Sequence, residues 1–312
     1  MDNMLDLVIS IINTNNKDCL KQCLESIFKQ IAGINCEVFI VDNASTDGSI
    51  GMVKENFPQT KVILNNKRMG FSQNHNKVLK TTNSNFKMIL NEDTVLGDGF
   101  LKEILDFARK HPKAGAIGPG IIFGDGRFQH SAFYFPSLKN ELAKMFPERF
   151  SLRETRGLFT EEQCENIFNP EWLNGSCMLF NAEALSEVGY LDENFYIFYE
   201  DADICKRLSD AGWNIYYYPK IKLVHYYGKS QKSGILEEFK TAYDKSRFRY
   251  FLKHKSIVQF LILKFLILLI DFLKLLKWSL LFILFKKTVR SQEIKRKLTI
   301  SLIGIRTCFL GR

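Results

Sequence analysis

Val38-Phe39-Ile40-Val41-Asp42-Asn43-Ala44-Ser45-Thr46-Asp47-Gly48 passes from four apolar residues into a polar turn whose first member is an acid. A short, β-branched apolar run bounded by turn residues reads as a buried strand. A second such run, Leu7-Val8-Ile9-Ser10-Ile11-Ile12, lies upstream, and between the two Leu20, Cys23, Leu24, Ile27 and Ile31 recur at helical spacing. Strand, helix and strand in that order make a βαβ unit. In open α/β sheets ligands bind beyond the carboxyl ends of the strands, so Asp42 is a candidate contact to a nucleoside. The alternative is that it only opens the turn.

The alternation continues. The pattern predicts strands at Val62–Leu64, Lys87–Leu90, Ala114–Ile117, Trp172–Phe180, Asn214–Tyr218 and Leu223–His225. Helices are predicted through Val78 and Leu79, over 100–110, over Ala182–Val188, and through Ile204, Cys205, Leu208 and Ala211. Asp125-Gly126 reads as a tight turn, and 128–170 as an irregular, aromatic and charged segment. The fold class expected is α/β, Rossmann-like, with a mostly parallel sheet and helices on both faces. A dehydrogenase would carry G-x-G-x-x-G after the first strand. Here that turn is Asn13-Thr14-Asn15-Asn16-Lys17-Asp18, without glycine, which argues against nicotinamide or flavin.

The chain has 312 residues, 46% of them hydrophobic, enough for one large α/β domain and an appendage. Its net charge of +9 is unevenly placed: residues 1–228 carry 24 Lys and Arg against 29 Asp and Glu, and 229–312 carry 19 against 5. Seven cysteines form no C-x-x-C pair, and their odd number suits reduced thiols and a cytoplasmic setting. The start, Met1-Asp2-Asn3-Met4-Leu5-Asp6, lacks the basic stretch of a signal peptide.

Two acidic clusters stand at element ends. Ile89-Leu90-Asn91-Glu92-Asp93 ends a strand on adjacent carboxylates, which either cap the helix over 100–110 or hold a metal. Glu200-Asp201-Ala202-Asp203 opens a helix, where acids also complement the N-terminal dipole. His225 is either a satisfied core histidine or a ligand, and Trp172 is by default a core residue.

Taken together, Val41-Asp42-Asn43-Ala44-Ser45-Thr46-Asp47-Gly48-Ser49, Gly70-Phe71-Ser72 with Asn76, Asn91-Glu92-Asp93, Trp172 with Gly175, Glu200-Asp201 with Asp203, and His225 with Gly228 and Ser230 resemble the inverting family-2 glycosyltransferases of GT-A fold. The resemblance covers about residues 5–255 and is closest to the bacterial rhamnosyltransferase-like branch, with Arg247-Phe248-Arg249-Tyr250 and Lys253-His254 at the end of its catalytic domain. It implies a nucleotide-sugar donor, with Asn13 and Asp42 at the nucleoside and Arg68 and Asn76 in a loop touching the donor. It implies Asp93 and His225 as ligands of manganese or magnesium, Asp201 as catalytic base, and Trp172, Gly175 and Glu200 on the acceptor side. Asn91 stands where the family's D-x-D motif has its first aspartate, and Glu92 where its middle residue is often proline or aspartate. The Gln-x-x-Arg-Trp motif of processive synthases is missing, so a single transfer is expected. A glycosidase would also use two carboxylates, but the crevice at Asp42 argues against it. A catalytically inactive sugar- or nucleotide-binding scaffold is the alternative.

From Ile257 to Phe285 the sequence is very apolar, yet Lys264, Asp271, Lys274 and Lys277 interrupt it on one half of a helical wheel, beside Ser256 and Gln259. That pattern predicts an amphipathic helix lying in the plane of an anionic membrane, its lysines reaching for headgroups. Lys286, Lys287, Arg290, Lys295, Arg296 and Lys297 extend the basic surface. A hairpin packed on the protein, or spanning helices, are the alternatives. Nucleic acid explains the charge poorly, because the basic residues are interleaved with Leu, Ile and Phe. The expected organisation is a catalytic domain over 1–255 and a membrane-association region over 256–312. Localisation is then peripheral, on the cytoplasmic face, where a lipid-linked glycan acceptor would be carried.

Overall fold

The computed structural model describes residues 4–145, 157–226, 236–284 and 291–310. In chain order these form β1 (Leu5–Asn13), α1 (Lys17–Phe28), β2 (Cys36–Asp42), α2 (Ser49–Asn56), β3 (Lys61–Leu64), α3 (Phe71–Leu79), β4 (Ser84–Asn91), β5 (Thr94–Leu96), α4 (Phe100–Lys110), β6 (Ala114–Phe123), β7 (Phe128–Gln129), β8 (Ala132–Phe133), α5 (Leu138–Met145), β9 (Trp172–Leu173), β10 (Cys177–Asn181), α6 (Ala182–Val188), α7 (Glu200–Asp210), β11 (Asn214–His225), α8 (Leu236–His254), α9 (Ile257–Leu284) and α10 (Ser291–Leu310). They group into two compact units, Met1–Asn194 with Glu200–Lys232, and Phe195–Tyr199 with Ser233–Arg312.

The first unit is built on a sheet of order β3-β2-β1-β4-β10-β6-β11-β5, with β7 added to β6. β1 is parallel to β2 and β4, β2 to β3, and β6 to β11, while β10 and β5 run antiparallel to their neighbours. This is the α/β sheet expected from the alternation. Central β1 is apolar on both faces because both are covered. Leu7, Ile9 and Ile11 share a core with Leu20, Leu24 and Ile27 of α1. Val8 points the other way, towards Val41 and Val78, as the two-residue period of a strand requires. Ile31 lies past the end of α1 but still packs on this core.

Two sequence expectations are corrected and one alternative is removed. The single strand expected over Trp172–Phe180 is two, β9 and β10, in different sheets. Asn174, Gly175 and Ser176 break it, since Asn174 N–H donates to Ser131 O at 2.9 Å and Gly175 N–H to a side chain of α7. The two strands expected at 214–218 and 223–225 are one, β11, which runs on across Pro219 with its register against β6 shifting between Tyr218 and Lys222. Glu92 and Asp93 do not cap α4. They form the turn between β4 and β5, and α4 is capped by Gly99 at φ 72°.

In the second unit, α9 turns Phe260, Leu263, Ile267, Ile270 and Asp271 inward, while Leu261, Phe265, Phe272, Leu273, Leu276, Leu280 and Ile283 are exposed. The polar half of the wheel is therefore not wholly an outward face. Asp271 is buried with its carboxylate 3.7 Å from Lys240 of α8, and Lys240 also bonds Asp244, which pairs with Arg247 at 2.5 Å. Gly304 of α10 makes the room, since a Cβ there would collide with the Asp271 carboxylate. Burial raises the Asp271 pKa and Lys240 opposes the rise. Among the described residues no helix is long and apolar enough to cross a membrane. Gly228 and Ser230 of the sequence pattern, and Lys286, Lys287 and Arg290 of the basic surface, lie outside the described residues.

Candidate active site

Sheet register gathers the candidate residues at one edge. Asn13 and Asp42 are paired at the ends of β1 and β2, and Ile12 faces Asn91 at the end of β4. The turn at Glu92 and Asp93 leads into β5, whose Thr94 pairs with His225 at the end of β11, and Tyr226 N–H donates to Asp93 O at 2.8 Å. Asn91 N–H donates to Ser176 O at 2.9 Å, which brings the Asn174–Ser176 break to the same edge.

At the first crevice, Asn13 Nδ2 donates to Asp42 Oδ1 and to Ser45 Oγ, each at 3.0 Å, and Ser45 N–H donates to Asp42 Oδ2 at 3.0 Å. Asp42 thus closes its turn, and it does so at the carboxyl end of β2 beside Asn13. Asn15 (φ 52°) and Ala44 (φ 60°) hold left-handed backbone on either side, joined by Thr46 N–H donating to Asn15 Oδ1 at 2.7 Å. Asn13 Oδ1 is buried without a partner. Arg68 is exposed in the loop before α3. Asn76 is not in that loop but inside α3, where its carboxamide bonds Leu191 O (2.7 Å), Leu191 N–H (3.2 Å) and Glu193 (2.9 Å).

Asp93 and His225, both buried, stand with Oδ1 and Nε2 3.1 Å apart. Asp93 Oδ1 makes no hydrogen bond of ordinary geometry. Donor atoms each ~2.1 Å from one octahedral ion lie ~3.0 Å apart, so the pair has the spacing of two ligands to a divalent cation. Gln129 faces the other ring nitrogen of His225 at 3.1 Å and fixes the ring. No cluster of three or more His, Cys, Asp or Glu ligands occurs among the described residues. A two-ligand site suits magnesium or manganese, which complete their shells with water and substrate phosphate. Burial, then the charge of Asp93, pushes Glu92 up to about 8, so Glu92 is largely protonated at neutral pH.

The third group is Asp201. Its Oδ2 accepts from Gly175 N–H at 3.2 Å and its Oδ1 from Ala202 N–H at 2.8 Å. Burial pushes its pKa up to about 6, with the two N–H bonds and the positive charge of Lys144 opposing. Glu200 is raised well above the ordinary range by burial and by Asp201, and its Oε2 is buried without a partner. Asp203 is engaged by Arg207 Nε at 2.9 Å. The acidic helix start therefore divides into one acid engaged by an arginine, one whose pKa burial and its neighbour raise, and one carboxylate poised near neutrality. Trp172 is half-buried, stacked on Phe133 at 4.3 Å, with Nε1 donating to Tyr134 O at 3.0 Å. Its ring is held in a fixed orientation.

The model of the family described as glycosyl transferase family 2 matches residues 7–189. The chain belongs to that family. A relative, the N-acetylglucosaminyl-diphospho-decaprenol L-rhamnosyltransferase of Mycobacterium tuberculosis, is 28% identical over 210 residues, covering 63% of this chain and 68% of that protein. Two solved structures share the fold: GalNAc-T7 with UDP, GalNAc and Mn2+ (TM-score 0.59, 13% identity, 81% of this chain and 48% of that one), and a mannosyltransferase from Pyrobaculum calidifontis in complex with GDP-Man and Mn2+ (TM-score 0.56, 16% identity, 99% and 88%). The chain thus spans about half the length of the first. The family-2 glycosyltransferase has the GT-A fold, and the resemblance drawn from its motifs is shown.

Sequence reasoning missed several residues of this family-2 site. Gln129 sits in the stretch expected to be irregular, and nothing local in the sequence links it to His225, 96 positions away. Ser45 lies within the recognised turn, but its bond to Asn13 depends on strand register. Lys144 acts on Asp201 from α5, again inside the unread segment.

Proposed function

We propose that this glycosyltransferase carries out inverting transfer of one sugar, rhamnose, from a nucleoside-diphosphate donor to a hydroxyl of a lipid-linked glycan precursor. The observation that carries the reading is the coexistence, at one sheet edge, of a carboxylate poised near neutrality at Asp201 and an acid–imidazole pair with metal-ligand spacing at Asp93 and His225. Asn13 and Asp42 receive the nucleoside, Arg68 reaches the donor from its exposed loop, and Asn76 supports that region through Leu191 and Glu193. Asp93 and His225 would hold manganese or magnesium on the diphosphate. Bound there, the ion offsets the negative charge that grows on the leaving group.

Asp201 takes the proton of the acceptor hydroxyl as its oxygen bonds to the anomeric carbon, and the carbon–diphosphate bond breaks on the opposite face. Gly175 N–H and Ala202 N–H hold the carboxylate in place for that step. Trp172 offers an apolar face to the acceptor sugar and Glu200, whose Oε2 has no partner, a carboxyl to its hydroxyls. The rhamnosyl and lipid-linked assignments rest on the name of the mycobacterial relative. Residues 1–255 are the catalytic portion in this reading. Residues 256–312 attach it to the cytoplasmic face of a membrane, through the exposed apolar residues of α9 with Lys277 and Lys297 against Trp278 beside them.

A panel of nucleotide sugars assayed with and without chelator tests the reading. Transfer of rhamnose that stops on chelation is expected. Undiminished transfer in chelator would remove Asp93 and His225 from the metal role.

A further inference from the structure

Three buried asparagines hold the loop that carries Arg68. Asn43 follows β2 directly, Asn65 follows β3, and Asn74 lies in the first turn of α3. The Asn43 carboxamide grips the backbone of Met69 at two points, accepting from its N–H at 2.8 Å and donating to its carbonyl at 3.1 Å. A paired strand would make the same exchange. Asn74 Nδ2 donates to that carbonyl as well, at 3.1 Å. Asn65 joins the other two: its Nδ2 donates to Asn43 Oδ1 at 3.2 Å and to Asn74 Oδ1 at 2.6 Å, and its Oδ1 accepts from Lys77 Nζ. Each carboxamide oxygen and nitrogen of the three thus has a partner. Asn65 N–H donates to Asp42 O at 2.9 Å, which ties the network to the end of β2. The loop is therefore pinned at Asn65 and at Met69, and Asn66, Lys67 and Arg68 between them are exposed. Burying a carboxamide costs free energy unless it is bonded, and a fully satisfied network yields one fixed geometry.

We propose that Asn43, Asn65 and Asn74 are positioning residues for the donor: they hold Asn65–Met69 in one conformation, so that Arg68 meets the nucleotide sugar on a loop already ordered. The inference rests on the reading of Arg68 as a donor contact. A loop ordered in the free protein loses less conformational entropy on binding. Loosening it therefore weakens donor binding and leaves the transfer step as it was.

The test uses the full chain with uridine-diphosphate rhamnose and thymidine-diphosphate rhamnose as donors. Asn65→Ala and Asn74→Ala each open the network. Each is expected to raise donor KM by ~3- to 10-fold, the scale of one hydrogen bond, with kcat at saturation unchanged and faster hydrogen exchange at the Met69 amide. Arg68→Ala should raise KM at least as far. Adding Asn74→Ala to it should raise KM no further, because the asparagine acts through the arginine. If the alanine variants do not fold, Asn74→Ser, small and still polar, carries the same measurements. Wild-type donor KM in a folded Asn74 variant, a further rise in the Arg68→Ala background, or a fall in kcat at unchanged KM would each overturn the positioning role alone. Wild-type KM in Arg68→Ala, or no transfer by the wild type from either donor, would instead bring down the donor reading, and this inference with it.

Discussion

Asp201→Asn separates a functional acid from a structural one, because the two roles predict opposite signs for stability. The folded protein raises the Asp201 pKa from 3.8 to about 6. Its folded form therefore binds more protons between those values, so stability falls as pH rises across the window and the penalty is complete above about pH 6. A shift of that size corresponds to about 3 kcal/mol. Asparagine cannot ionise and its oxygen can keep one of the two N–H bonds, so the variant should unfold about 1–2 kcal/mol harder than wild type at pH 7.5. At pH 3.5 that advantage should be gone. Turnover should move the other way, falling ~10²- to 10⁴-fold. In the wild type kcat/KM should drop on the acid side with an apparent pKa of about 6, leaving about a tenth of the base ionised at pH 5. Urea unfolding at the two pH values and a pH–rate profile measure all three. A variant destabilised at pH 7.5, or an acid limb near pH 4, would refute the argument that burial poises this carboxylate.

Other outcomes follow from the same geometry. Asp93→Ala and His225→Ala should each abolish Mn2+ binding followed by electron paramagnetic resonance in the donor-free protein, whereas Gln129→Ala should weaken it ~10- to 100-fold through the freed ring; equal binding in all three would contradict the site. Asn76→Ala strands the N–H and C=O of Leu191 in a buried place, and should cost about 2–4 kcal/mol in unfolding free energy measured by urea denaturation. Gly115→Ala places a Cβ 2.7 Å from the Cβ of Trp213, an atom fixed to the backbone, and should destabilise by about 1–3 kcal/mol. Replacing exposed Phe265, Leu273 and Leu280 together by Ser should leave the fold intact and reduce sedimentation with phosphatidylglycerol vesicles; unchanged sedimentation would remove α9 from the membrane contact.

The fold was legible where burial alone decides the pattern. β1, β2 and β4 are covered on both faces and read as unbroken apolar runs, and α4 carries an apolar face over nearly its predicted length. Reading failed where a tertiary bond overrides local preference. Trp172 to Phe180 looks like one strand until Gly175 N–H is drawn to Asp201, 26 positions away. Whether the acids at 92 and 93 cap a helix stayed open in the sequence, because β5, three residues long, is defined only by its pairing with β11. The same holds for α9, whose charged residues were read as an outward face. A periodicity shows which residues share a side of a helix, but not which side another helix will cover, and Asp271 is inward because Lys240 and the absent side chain of Gly304 receive it.

The two acidic clusters solve one electrostatic problem in the same way. A site that accepts a diphosphate must avoid repelling it, yet this chain places Glu92 beside Asp93 and Glu200 beside Asp201. In each pair burial and the neighbouring acid raise the glutamate, to about 8 for Glu92 and well above the ordinary range for Glu200. At about 8 Glu92 is largely uncharged at physiological pH, and Glu200 is raised by the same two causes, burial and its neighbouring aspartate; in the proposed reading Asp93 and Asp201 are the members that face the metal and the acceptor. Replacing Glu92 by Gln imitates that protonated form, so metal binding should survive, whereas Glu92→Asp shortens the buried acid and should not reproduce its packing. In the proposed reading Glu92 brings no charge to the turn, and Asp93 with His225 would be the pair that holds the ion; Glu92→Gln is the variant that tests it.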